Sequence, residues 1–154
     1  MKVLFVCLGN ICRSPMAEGV FNKLVNERGL EEKFYSTSAG TADYHIGQSP
    51  DARTKIVCDL NKAPIEHKGR KFEKEDLKEF DLILAMDGNN LKDILSLVNE
   101  NDESRKKVKL LRSYEPNGER KEVPDPYYGN LDDFKTVYSM LVNACNHLLN
   151  TLEK

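Results

Sequence analysis

Six positions separate Cys7 from Arg13, and Ser14 follows at once, in the stretch "VCLGNICRS" from Val6 to Ser14. Residues of these types at this spacing suit one kind of chemistry. A thiol is a weak nucleophile until it is held as thiolate, a form favoured by a helix N-terminus and by a neighbouring guanidinium. Cys7 gains both if a helix begins near Ser14 and Arg13 folds back toward the sulfur. Between them, Leu8, Gly9, Asn10, Ile11 and Cys12 make a short loop whose successive N–H groups can turn inward as an anion nest, with Gly9 supplying backbone freedom. Arg13 adds a planar two-pronged donor that matches two phosphate oxygens. Ser14 can cap the helix, and its hydroxyl can also stabilise the sulfur anion.

A cysteine and an arginine at this distance also occur by chance, and most buried cysteines are inert core. The elements around the loop tip the balance. Residues 2 to 7 are apolar on both alternating faces and read as a fully buried strand. Ser14-Pro15 reads as a helix start with serine as N-cap, and Met16, Ala17, Val20, Phe21, Leu24 and Val25 then recur at helical spacing until Gly29. Further on, residues 33–39 form a strand, and Ser49-Pro50-Asp51 repeats the helix start before a helix to about Leu60. "FDLILAM" at 80–86 is a second buried strand, after which Asp87 caps a helix carrying Leu91, Ile94, Leu95 and Val98. "VKLL" at 108–111 is a short strand. A long loop with three prolines follows, and Leu131 to Leu152 carries a strong helical stripe.

Strands alternating with helices predict an α/β fold, a single three-layer domain over 1–154 with a four-stranded parallel sheet and helices on both faces. In such folds ligands bind beyond the carboxyl ends of the strands, and "VCLGNICRS" lies at that end of the first strand. The nucleotide-binding patterns G-x-x-x-x-G-K-[ST] and G-x-G-x-x-G are absent. With 23 basic against 25 acidic residues, the chain has no general attraction for nucleic acid or anionic membrane. No stretch approaches the roughly 20 apolar residues of a membrane span. The apolar start is too short for a signal peptide and is interrupted by Gly9-Asn10 and Arg13. The four cysteines, Cys7, Cys12, Cys58 and Cys145, are therefore expected to be reduced, in a cytoplasmic protein.

"CLGNICRSPMAE" resembles the C-x5-R-[ST] loop of the low-molecular-weight protein tyrosine phosphatases, and "STSAGTADYHIG", "FDLILAMD" and "VPDPYYGN" continue the resemblance in that family's order. The C-x5-R-[ST] loop is common to many phosphatases. Its place at the extreme N-terminus, with D-P-Y-Y about 120 residues later, is specific to this one. The resemblance implies a flavodoxin-like (phosphotyrosine phosphatase I-like) fold and hydrolysis of phosphotyrosine in proteins and of small aryl phosphates, with no cofactor and no metal. It implies Cys7 as nucleophile, Arg13 as phosphate clamp and Asp125 as general acid and base, and phosphate binding by the loop from Leu8 to Ser14. From spacing alone Asp125 is an ordinary turn aspartate, Ser38 a strand-end serine and His67 a surface histidine. The resemblance makes Ser38 and His67 supports for Asn10, and it makes Leu8, Ile11, Tyr44 and Tyr127 the walls of a crevice for a flat ring. It further implies a monomer, tyrosine-phosphorylated proteins as partners, inhibition by phosphate or other oxyanions, and a reversible Cys7–Cys12 disulfide under oxidation. Cys58 and Cys145 are expected in the core.

Three other readings compete. An arsenate reductase on this fold needs resolving cysteines on a flexible segment, but Cys58 and Cys145 fall within predicted helices. A phosphocysteine carrier needs neither an acidic Asp125 nor aromatic walls. A non-catalytic phosphate-binding module has no use for both nucleophile and arginine.

Overall fold

In the computed structural model, which describes residues 1–154, strand β1 (Lys2–Cys7) lies inside the sheet and is buried from Val3 onward. Side chains alternate across a strand. Val3, Phe5 and Cys7 therefore enter one core, and Leu4 and Val6 enter a second core on the opposite face. Burial on both faces is why this strand reads as an unbroken apolar run rather than as an alternating one. Strand β3 (Leu82–Ala85) divides in the same way, with Leu82 and Leu84 in the first core and Ile83 and Ala85 in the second.

The sheet is four-stranded and parallel, in the order β2-β1-β3-β4, with β2 at Tyr35–Gly40 and β4 at Val108–Leu110. Strand order reverses between β1 and β3, so the carboxyl ends of these two strands flank the switch point where ligands bind in such sheets. The three-layer α/β expectation is met. Helices α1 (Arg13–Glu27), α2 (Ala52–Leu60) and α5 (Leu131–Leu152) fill the first core, whereas α3 (Asp76–Glu79) and α4 (Gly88–Leu95) cover the second. The α5 stripe buries Phe134, Val137, Leu141, Cys145 and Leu148. Cys58 and Cys145 are core residues, and burial pushes the Cys58 thiol up to about 12. No helix is long and apolar enough to cross a membrane.

Several boundaries depart from the sequence expectation. The second strand runs from Tyr35 to Gly40 rather than 33–39, and the third is shortened to Leu82–Ala85 because Phe80 closes α3 and the Asp81 carboxylate accepts the Lys2 N–H. Helix α3 and the 3-10 turns Glu103–Lys107 and Leu111–Tyr114 are too short to leave a periodic signature. Neither Ser-Pro pair supplies a serine cap. Cys12 occupies the N-cap of α1, and Asp51 caps α2 by accepting the Arg53 N–H. At the other end of α1, Gly29 at φ 66 and the Leu30 N–H to the Val25 carbonyl close the helix as a Schellman turn.

Candidate active site

The phosphate loop connects β1 to α1 with its carbonyls facing outward. The Cys7 carbonyl accepts from the Thr41 N–H (2.9 Å), that of Leu8 from Ala42 (3.0 Å) and that of Ile11 from Asp51 (2.8 Å), while Cys12 accepts from the Thr54 hydroxyl (3.4 Å). With the carbonyls fixed outside, the amides turn inward. The Asn10 N–H faces Cys7 Sγ at 3.3 Å, and the other amides from Leu8 to Arg13 find no acceptor among the loop and turn hydrogen bonds. An inward ring of donors at a helix N-terminus is an anion site. Gly40, at the end of β2, gives this loop its room, since a Cβ there would lie 2.7 Å from the Leu8 carbonyl oxygen.

The left-handed turn of the loop falls on Asn10 (φ 58). This conformation costs most side chains about 1–2 kcal/mol, and Asn tolerates it best after glycine. Asn10 is 1% exposed and every polar position on its side chain is filled. Nδ2 donates to the hydroxyls of Ser14 (2.8 Å) and Ser38 (3.0 Å), while Oδ1 accepts from His67 Nε2 (2.7 Å) and the Arg70 N–H (3.0 Å). Asn10, Ser38 and His67 are thus brought together. His67 is no surface residue, because its side chain is only 8% exposed. Having accepted from Asn10, the Ser14 hydroxyl has one proton to give, with a Cys7 thiolate at 3.0 Å and the Ala39 carbonyl at 3.4 Å as its acceptors, and it does not cap α1.

Behind this network sits Glu18, which does not stand out in the sequence because Ser14 and Asn22, four residues either side of it on α1, are polar and make it read as part of a solvated helix face. Its Oε1 accepts from the Ser38 hydroxyl at 2.8 Å and lies 3.5 Å from His67 Nδ1. Since Nε2 donates to Asn10, a neutral His67 turns the lone pair of Nδ1 toward this carboxyl. Burial pushes the Glu18 carboxyl up to about 7, against a smaller downward pull from Ser38, while burial and then Arg70 push His67 down to about 4. At mildly acidic pH the carboxyl is therefore protonated and the imidazole neutral.

Arg13 is buried beside Cys7, with a side chain 3% exposed. Its Nη1 donates to Asp87 Oδ2 (2.6 Å) and to the Val123 carbonyl (3.0 Å), and Nη2 lies 3.7 Å from Asp125 Oδ2. Burial works against the charge, but Cys7, Asp87 and Asp125 outweigh it and raise the Arg13 pKa. Asp87 caps α4 with one oxygen, as expected, and pairs with Arg13 through the other. Its position at the carboxyl end of the strand beside β1 is a signal from which the second role was readable.

Asp125 stands across the cleft with a side chain 41% exposed. Its Oδ1 accepts from the Tyr127 N–H (3.1 Å), leaving Oδ2 to face Arg13. The cleft holds about 250 Å³ and is lined by Cys7, Leu8, Gly9, Ile11, Cys12 and Arg13 below, and by Tyr44, His45, Asp125, Tyr127 and Tyr128 around the rim. All four residues expected as crevice walls, Leu8, Ile11, Tyr44 and Tyr127, line it. His45 and Tyr128 join them unforeseen, because loop residues leave no periodic trace of the direction in which they point. Cys12 is buried beside Cys7, and burial, with Asp51 and Cys7 adding to it, pushes its thiol strongly up.

Comparison with known proteins agrees with this geometry. The family model described as low molecular weight phosphotyrosine protein phosphatase matches residues 2–154. The low molecular weight phosphotyrosine protein phosphatase of Homo sapiens is 45% identical over 148 residues, covering 96% of this chain and 93% of the human one. A crystal structure of a protein tyrosine phosphatase from Entamoeba histolytica, with Hepes in its active site, superposes with a TM-score of 0.93 at 40% identity, over 99% of this chain and 97% of that one. The Drosophila arginine phosphatase superposes with a TM-score of 0.92 at 34% identity, over 100% and 99%. Sequence and fold agree along nearly the whole length, and the chain belongs to the low molecular weight phosphotyrosine protein phosphatase family.

Proposed function

We propose that the protein hydrolyses phosphotyrosine in proteins, and small aryl phosphates, through a phosphocysteine intermediate. The observation that carries this is the convergence of the Cys7 sulfur, the inward amides, Arg13 and the free oxygen of Asp125 on one cleft. The Cys7 thiolate attacks phosphorus, and the bond from phosphorus to the phenolic oxygen breaks. Protonated Asp125 gives its proton to the departing oxygen, so phenol leaves rather than phenolate. Asp125 then takes a proton from water, the water oxygen attacks phosphorus, the P–S bond breaks, and thiolate and inorganic phosphate are released. Arg13 and the amides hold the equatorial oxygens and stabilise the charge that builds on them. These groups supply the positive charge that the phosphoryl oxygens require.

The walls support an aryl substrate over a shorter or more polar one. Leu8, Ile11 and the rim tyrosines offer apolar faces to a flat ring. The arginine phosphatase neighbour makes phosphoarginine the comparison to run. The test is hydrolysis of an aryl phosphate, a phosphotyrosine peptide and a phosphoarginine peptide, with chelator present, by wild type and Cys7→Ser. Chelator-resistant turnover of the first two that vanishes in the variant is expected. A preference for phosphoarginine would overturn the substrate, and undiminished turnover by Cys7→Ser would overturn the mechanism.

The same reading makes the protein a cytoplasmic monomer inhibited by phosphate and similar oxyanions. Under peroxide, the Cys7 thiolate becomes sulfenic acid, and the Cys12 sulfur displaces its oxygen as water to form a disulfide that external thiol reopens. Cys12→Ser should then recover less activity than wild type after peroxide and thiol treatment, and equal recovery counts against the disulfide.

A further inference from the structure

Arg53, on the first turn of α2, lies outside the cleft and touches neither sulfur nor clamp, yet it joins both loops. Its Nε and Nη2 donate to the two oxygens of Asp51 at 3.0 and 2.9 Å. Asp51 in turn donates its N–H to the Ile11 carbonyl of the phosphate loop. On the other side, Arg53 Nη2 donates to the Tyr127 carbonyl (3.0 Å) and Nη1 to the Gly129 carbonyl (2.9 Å). The guanidinium also stacks 4.3 Å from the Phe134 ring centroid, at the start of α5. The Tyr127 N–H is the donor to Asp125 Oδ1. One residue, Tyr127, therefore connects Arg53 to the Asp125 carboxyl.

Asp125 has few other restraints. Its side chain is 41% exposed, and its contact with Arg13 is 3.7 Å long. The Asp51 carboxylate holds the guanidinium fork in place, so two carbonyls of the "DPYYG" segment meet donors whose directions are set in advance. Lysine has no such fork.

We propose that Arg53 is a positioning residue that, through Tyr127, orients the Asp125 carboxyl and ties proton delivery to the shape of the phosphate loop. The proposal rests on the phosphatase reading above. Arg53 then affects only steps that need Asp125. Proton donation matters most when the leaving group is a poor one, so a displaced acid is felt there first.

The test uses the full chain as wild type, Arg53→Met and Arg53→Lys, each also combined with Asp125→Asn. It measures kcat/KM for aryl phosphates with good and poor leaving groups, and competitive inhibition by inorganic phosphate. Arg53→Met should lower kcat/KM about tenfold for phenyl phosphate, and less for a nitrophenyl ester. Phosphate inhibition should stay within about twofold of wild type, and the loss should disappear in the Asp125→Asn background. Arg53→Lys, which keeps the charge and covers the case of an unfolded methionine variant, should show the same leaving-group pattern to a smaller extent. An equal loss for every leaving group, weaker phosphate inhibition, or an undiminished loss without Asp125 would overturn the proposal while wild-type turnover stands. Turnover that survives Cys7→Ser in the same assay would instead overturn the reading beneath it.

Discussion

The loop from Leu8 to Ser14 and the loop from Glu115 to Asn130 face each other across one cleft, but they are built in opposite ways. In the first, Asn10, Arg13 and Ser14 are each at most 2% exposed, as is Cys7 just before it, and the Asn10 side chain makes four hydrogen bonds. In the second, Asp125 holds one oxygen through a single backbone N–H, and Tyr127 and Tyr128 are 39% and 95% exposed. The difference separates two tasks. Stabilising charge on a phosphoryl group requires dipoles fixed before the substrate arrives. Admitting a phosphorylated side chain, delivering a proton and letting products out require a rim that faces solvent.

This contrast can be broken at four places. Arg13→Lys should have the largest effect, lowering kcat about 10²–10³-fold, because one ammonium cannot span two phosphoryl oxygens. It should also lower the melting temperature, since Asp87 and the Val123 carbonyl lose a buried partner. Kinetics and calorimetry on one sample check both. Asp125→Asn should cost about 10²-fold, concentrated on poor leaving groups, and leave melting unchanged. If Asp125→Asn destabilised the fold as much as Arg13→Lys, the division between fixed loop and open rim would be wrong.

Glu18→Gln sharpens the comparison from behind the phosphate loop. Between about pH 4.5 and 6.5 the Glu18–His67 pair holds one proton both folded and unfolded, so it gives stability little slope with pH. In the variant, His67 is left with its folded value held down near 4 by burial and Arg70, against 6.5 unfolded. The unfolded chain then binds more protons across that window, and stability falls as pH drops from 6.5 toward 4. Urea midpoints at several pH values measure this, and a variant as flat as wild type would contradict the lowered His67 value. Smallest of all, Tyr44→Ala on the exposed rim should raise KM a few-fold with kcat unchanged, because it removes wall contact without touching the reacting groups.

What was legible in the sequence was local. The strand, loop and helix around Cys7 lie within 27 residues of the start and announce themselves by burial, spacing and a terminating glycine. The four strands and the α5 stripe were legible for the same reason. Contacts between distant segments were not. The Arg13–Asp87 pair spans 74 positions and the His67–Asn10 bond spans 57, and no pattern along the chain reports either. Of the two roles read for Ser14, the helix cap falls to Cys12, while the hydroxyl lies 3.0 Å from the Cys7 sulfur as expected. Hydrogen bonds from Asn10 to Ser14 and Ser38, and to Asn10 from His67 and Arg70, hold the left-handed turn there, and a glycine could not make them.

The central claim is that the phosphoryl group passes through the Cys7 sulfur. It is tested most directly by rapid acid quench of wild type during turnover of an aryl phosphate, followed by mass spectrometry of its peptides. The account predicts phosphate on Cys7 and none on Cys12, Cys58 or Cys145. Steady turnover with no phosphorylated cysteine, or phosphate on another residue, would contradict it.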